Sequence, residues 1–442
     1  MLGGAIVVFT LVDWQGRELL TPELREVRTE SGSHRGHGPL VHVLLTLTAV
    51  VGLGWVLGRA FRWVGQPPVI GEVVAGIALG PSVLGWLVPG SRDFLLPAAS
   101  APFLEIIAQF GIILYMFVMG LELNLDAIRT RTQATLLISH TGIVAPFVCG
   151  AVLALYLYPH VSSANVAFTN FALFMGVALS ITAFPVLARI LSDRKLQQTP
   201  LGVIALACAA LNDATAWCLL AVVVGIAQAR VDQGLSVLGM AIAFFAFLFL
   251  VVRPVVGRWL SQTGELTRAT TAGLFLGMLV AAVTAEWIGI HAIFGAFLFG
   301  AIIPHDSVAA RDLMYKLEGP VTVLLLPAFF ALTGLRTQFG LVATVEEWLL
   351  CGVIIAVATV GKFGGTLLSA RLNGLAWREA TALGILMNTR GLMELIVLNI
   401  GLDLNIISPT LYSMMVVMAL ATTMATTPLL LWTGYGRTGK TG

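Results

Sequence analysis

The chain has 442 residues, of which 58% are hydrophobic and only 11% charged. Soluble domains carry about a quarter charged residues, so this chain lacks the charge to coat a soluble globule of its size and reads as an all-α polytopic membrane protein. A formal net charge of +2 offers no basic surface for nucleic acid. Cys149, Cys208, Cys218 and Cys351 all lie in apolar segments and form no CxxC pair, so buried free thiols are expected rather than a zinc site or a disulfide framework. No cofactor is predicted.

Residues 1–39 read as an extracytoplasmic tail. The apolar run from Ala5 to Val12 is too short to span a bilayer, and no basic region precedes it as a cleaved signal would require. Residues 40–432 form the membrane domain, with thirteen predicted spans at 40–60, 67–88, 103–124, 133–158, 168–192, 198–228, 236–258, 269–286, 289–304, 319–339, 346–371, 380–402 and 409–432. The runs are continuous rather than alternating, which selects helices over barrel strands. With the N-terminus outside, Arg59, Arg62, Arg129, Arg131, Arg189 and Arg194 fall at inner ends. Arg92, Arg230 and Arg336 are the outer exceptions. Positive-inside bias therefore predicts a multi-pass protein of the inner or plasma membrane with a cytoplasmic C-terminal tail, 433–442.

The fourth span carries His140, read as a packed histidine. In the fifth, Ser180-Ile181-Thr182-Ala183-Phe184-Pro185 places a proline where its missing N–H frees the carbonyl of Ile181. Ser180 and Thr182 add hydroxyls there. Freed backbone groups at membrane depth must bind something. The sixth span holds Asn212-Asp213. A carboxylate at the centre of a membrane helix costs ~2.5–3.5 kcal/mol on insertion scales, and such groups mark ion paths, proton relays or counter-ions. The eleventh span holds Lys362, too deep to snorkel easily. In the twelfth, Asn388, Thr389, Arg390, Gly391 and Glu394 interrupt an apolar run. Arg390 and Glu394 stand four apart and can pair on one helical face.

The two interrupted spans lie seven apart and so run in opposite directions. Spans 1–6 and 8–13 then make two inverted six-helix repeats joined by span 7. Paired broken helices in corresponding positions of inverted repeats point to a transport site. The run Gly434 to Thr441, GYGRTGKT, fits a phosphate-binding loop pattern, but a membrane span rather than a strand precedes it, so no nucleotide is predicted as a partner.

Several stretches resemble the monovalent cation:proton antiporter-2 family, of Kef-type and plant cation/proton exchanger-like membership. They are Gln66 to Glu72 with Ala75 to Pro81, Ser180 to Leu191, Asn212-Asp213 with Trp217, Gly289 to Gly300, Phe329 to Thr337, Gly361-Lys362 and Met387 to Leu404. The resemblance covers nearly all of 40–432. It implies a sodium/proton antiporter-like fold with a core domain, a dimerisation domain, a homodimer and two broken helices crossing near the midplane. Asp213 would bind a monovalent cation or a proton, with Asn212, Thr182 and Ser180 nearby. Lys362, Arg390 and Glu394 would be the core charges, and Pro185, Asn388, Thr389 and Gly391 would mark the breaks. Two features depart from the wider family. Many electrogenic members have two consecutive aspartates where this chain has Asn212 before Asp213. The Kef-type nucleotide-binding regulatory domain has no counterpart in this sequence.

These features predict K+/H+ or Na+/H+ exchange, K+ favoured, by alternating access and without net charge movement. The alternatives are a cation channel, for which no filter-like repeated carbonyl loop is seen, and an ion-coupled symporter.

Overall fold

The computed structural model describes residues 39–435, except 89, 91–93, 96, 98–99, 123–132, 164–165, 229–233, 264–265 and 305–306, together with Gly4 and Asp13. Most of the N-terminal tail and the end of the GYGRTGKT run lie outside the described residues. So do Arg92, Arg129, Arg131 and Arg230 of the charge asymmetry.

Helices follow one another along the described chain: α1 (Pro39–Trp63), α2 (Pro68–Leu79), α3 (Ala101–Glu122), α4 (Gln133–Val161), α5 (Phe168–Ser180), α6 (Phe184–Asp193) and α7 (Pro200–Gln228). Next come α8, Gly234–Phe247 continued through Arg253–Thr263, then α9 (Arg268–Ile288) and α10 (Ala292–Ile302). α11 runs Val308–Pro320 and Leu326–Arg336, and α12 runs Val345–Thr359 and Gly365–Leu372. The chain then passes through α13 (Trp377–Met387), α14 (Leu392–Asp403) and α15 (Pro409–Trp432). One wide π turn interrupts each of α8, α11 and α12, at Leu248–Val252, Val321–Leu325 and Val360–Gly364. Such turns often mark functional positions, and the third carries Lys362.

Ten of these helices, α2 being counted on to Leu87, are long and apolar enough to cross a membrane, and an eleventh crossing is counted if the bent pair α13 and α14 is one span. Each of the thirteen predicted segments corresponds to a helix or a broken pair. Helix length alone does not establish thirteen crossings, because two segments fall short. The break in the fifth leaves α5 with 13 residues and α6 with 10. The ninth, α10, has 11 residues. It starts after Gly289, whose φ of 91° ends α9 in the left-handed conformation that favours glycine.

The helices pack as two sets. α1, α2 and α3 pack with α10 and α11, and α9 packs on α10. In the other set α4 to α7 pack with α12 to α15. α8 touches both, through α7 on one side and α9 on the other. Spans 1–3 thus group with 8–10, and spans 4–6 with 11–13, so corresponding members of the two halves fall in the same set.

Close backbone approach holds the first set together. A Cβ on Gly120 of α3 would lie 2.2 Å from the Phe297 carbonyl oxygen, and one on Gly300 of α10 would lie 2.4 Å from that of Phe117. Small residues permit this kind of packing between membrane helices. The cysteines are free. Cys208 and Cys351 are buried as expected, whereas Cys149 is half-buried and Cys218 is exposed, on the outward face of α7.

Candidate functional site

Helix α5 ends at Ser180, where Ile181 turns extended (φ −70°, ψ 140°), and α6 begins at Phe184. The break is Ile181-Thr182-Ala183, all buried. Pro185 therefore stands in the first turn of α6, where a missing N–H leaves no bond unmade. It starts the second half-helix rather than kinking a continuous one.

The second break is Asn388-Thr389-Arg390-Gly391, between α13 and α14. It touches the first. The Ala183 N–H donates to the Thr389 carbonyl at 3.0 Å, and the Thr182 hydroxyl donates to the Met387 carbonyl at 3.1 Å. Gly391 lies so near α6 that a Cβ there would stand 2.8 Å from Val186 Cγ2.

Unwinding α5 leaves its last carbonyls without intrahelical partners, and two buried cations take them. Arg390 donates from one guanidinium nitrogen to Ala178 at 3.0 Å and from the other to Leu179 at 2.7 Å. It also pairs with Glu394 at 2.9 Å, and both side chains are fully buried. Lys362 donates to the carbonyls of Ser180 and, at 2.8 Å, of Gly142. Cations suit the negative end of a helix.

Asn212 supplies the third acceptor for Lys362. Its amide fits its surroundings when the nitrogen faces the carbonyls of Ser139 and Cys208, at 2.9 and 3.3 Å, and the oxygen faces Lys362 Nζ at 3.3 Å. The oxygen end also lies 3.4 Å from the Thr182 hydroxyl. All three ammonium protons of Lys362 thus have acceptors. The Ser180 hydroxyl donates to Gly176 and Ile143 carbonyls at 2.7 and 3.0 Å, so this residue meets Lys362 through its carbonyl.

Asp213 is buried, at 6% exposure. It accepts the backbone N–H of Phe184 at the start of α6, the end of a helix that favours an anion. No ion pair joins it to Lys362 or Arg390 among the described residues, and its Oδ1 has no hydrogen-bond partner. Asn388 Oδ1, in the second break, is likewise buried and without a partner. The core thus brings together every predicted site residue. Two buried cations and two buried carboxylates balance there when Asp213 is ionised.

Other contributors carry little signal in the sequence. Thr423 of α15 accepts the Arg390 N–H at 3.1 Å and donates to the Arg390 carbonyl at 2.6 Å, and Thr426 accepts from Thr389 at 3.3 Å. The paired threonines at 422–423 and 426–427, four apart in an apolar span, were the available signal. Arg336, read as an outer-loop charge, ends α11 and bridges the two sets. It pairs at 2.6 Å with Glu105 of α3 and at 2.6 Å with Asp403 of α14, and bonds Asn399 at 3.0 Å. Towards the opposite end of the same helices lies a cavity of about 380 Å³, lined by α1, α2, α3 and α11 on one side and by Val186, Arg189 and Leu392 on the other.

Residues 45–432 match the model of the family described as sodium/hydrogen exchanger, transmembrane. A sodium/proton antiporter of Synechocystis is 41% identical, over 88% of this chain and 96% of its own length. Cation/proton antiporter 20 of Arabidopsis thaliana is 39% identical over 92% of this chain. Potassium/proton antiporter 1 of Saccharomyces cerevisiae is 35% identical over 84%. The matches span about half the length of these plant and yeast relatives, 50% and 44%. The fold matches that of a sodium/proton antiporter from Methanocaldococcus jannaschii at 14% identity, with a TM-score of 0.63 over 90% of this chain and 98% of that one.

Proposed function

The chain belongs to the sodium/hydrogen exchanger family of membrane transporters, and from that premise we propose that it exchanges a monovalent cation, K+ ahead of Na+, for a proton at Asp213. The observation that carries this reading is the unpartnered, buried Oδ1 of Asp213 beside two touching helix breaks. A buried carboxylate oxygen without a partner is costly unless something binds it. One carboxylate has the charge to take one monovalent cation or one proton, and each excludes the other. That competition alone gives antiport. Neutral oxygens of Asn212 and Thr182 and the break carbonyls complete the surroundings for a partly dehydrated ion.

The charge of the cycle follows from the contacts of Lys362. We take Lys362, with three acceptors in place, to keep its proton throughout, and the Arg390–Glu394 pair to stay closed. Only Asp213 changes occupant, so exchange is electroneutral.

Access fits a two-set protein. The Arg336 bridge ties the sets at one end, and the cavity separates them at the other. Rocking of the α4–α7 and α12–α15 core against the other helices would open the bridged end and close the cavity. We place the protein in the cell membrane as a homodimer, N-terminus outside and C-terminus cytoplasmic.

Purified protein in proteoliposomes with an internal pH dye, challenged with K+, Na+ or Li+, tests this reading. Cation-driven proton movement supports antiport. Cation flux that moves no protons contradicts it and selects a channel.

A further inference from the structure

The cavity between the two helix sets contains one carboxylate that the reading above does not use. Glu72 is the fifth residue of α2, about 6 Å along the helix axis from Pro68, and it lines the cavity. It has no hydrogen-bond or ion-pair partner among the described residues. Gly54 of α1 faces it. A Cβ on that glycine would touch Glu72 Cγ at 3.6 Å, so the missing side chain leaves the carboxylate stem room.

The surroundings are mostly apolar. Val50, Val51, Val69, Leu326 and Phe330 contribute to the walls, and Glu72 is the only acidic residue among the lining residues. The two basic lining residues, Arg62 and Arg189, are exposed, while Glu72 is half-buried. A carboxylate between low-dielectric walls attracts a cation more strongly than one in open water.

The position along the route completes the case. Val186 and Leu392 also line the cavity, and they belong to the first turns of α6 and α14, the half-helices that start at the two breaks. Asp213 accepts the N–H of Phe184, two residues before Val186. The cavity that holds Glu72 therefore reaches the two half-helices that start at the breaks, one of which gives its first N–H to Asp213.

We propose that Glu72 is a second cation-binding position, which captures the monovalent cation in the cavity before it reaches Asp213. The proposal rests on the antiport reading and adds a residue that sets apparent cation affinity.

The test is the half-saturating concentration of K+, and separately of Na+, for proton exchange in proteoliposomes. Glu72→Gln is expected to raise it about fivefold, and Val51→Lys, which puts a positive charge in the same cavity, to raise it similarly. Glu72→Asp keeps the charge and is expected to stay within about twofold of the unaltered protein. Should Glu72→Gln fail to fold, Val51→Lys decides the matter. Half-saturation unchanged in Glu72→Gln or Val51→Lys, or equally raised in Glu72→Asp and Glu72→Gln, overturns the proposal. Asp213→Asn, run alongside, separates the two claims. If it still exchanges, the antiport site is wrong; if it is silent while Glu72→Gln titrates normally, only the role of Glu72 falls.

Discussion

The backbone N–H of Ala183 donates to the carbonyl of Thr389 at 3.0 Å, so the two unwound segments, more than two hundred residues apart in the chain, satisfy each other. The breaks are thus one structure, and the groups that hold it are cations placed on helix ends. Perturbing either break should disturb both.

Arg390 carries the largest share of that structure. It neutralises Glu394 and closes the end of α5 through Ala178 and Leu179. Removing one partner of a buried ion pair typically costs about 3–5 kcal/mol. Arg390→Ala should lower the melting temperature in detergent markedly and abolish exchange. Arg390→Lys should recover only part of the stability, because a single ammonium lacks the planar fork that reaches two carbonyls and a carboxylate at once.

Gly391 is predicted to be intolerant of any side chain for a reason that can be relieved. A Cβ there meets Val186 Cγ2 at 2.8 Å, and overpacking of this kind costs about 1–3 kcal/mol. Gly391→Ala should slow exchange and destabilise the protein. Adding Val186→Ala should restore much of both, a coupling that a double-mutant cycle measures directly.

The Arg336 bridge should hold one end of the protein closed. Arg336→Ala frees Glu105 from Asp403 and separates α3 from α14 there. A cysteine placed at Asn399, buried in the same network, should then react faster with a small water-soluble thiol reagent than in the Arg336 background. Equal rates would show that the bridge does not restrain the two sets.

The proposed cycle, with Lys362 staying charged and one carboxylate at 213 changing occupant, moves no net charge. A potassium-independent membrane potential imposed on proteoliposomes should leave the net exchange rate unchanged. A strong dependence on voltage would mean that a second charge moves in the cycle.

Much of this arrangement is legible in the sequence. Asp213, Lys362, Arg390 and Glu394 stood out because charge in an apolar run is costly, and Pro185 and Gly391 because they interrupt helices. Their partners were not legible. Lys362 and Asp213 are both buried charges of the core, yet the Lys362 protons go to Gly142, Ser180 and Asn212, because the carbonyls and amides that a fold turns towards a buried cation are invisible in residue type. Arg336 at the end of a span looked like a loop charge, although it bridges carboxylates from two helices far apart in sequence. The fifth and ninth segments show the same limit in length. Both runs are apolar, but a backbone break in one and the left-handed Gly289 before the other shorten the helices that form.

The central claim is that proton and cation exchange for one another at Asp213. Its most direct test is Asp213→Asn in proteoliposomes with a pH dye, at saturating K+ and Na+, with folding checked by thermal melting. The account predicts a folded protein with no cation-driven proton movement. A folded Asp213→Asn protein that still exchanges would contradict it.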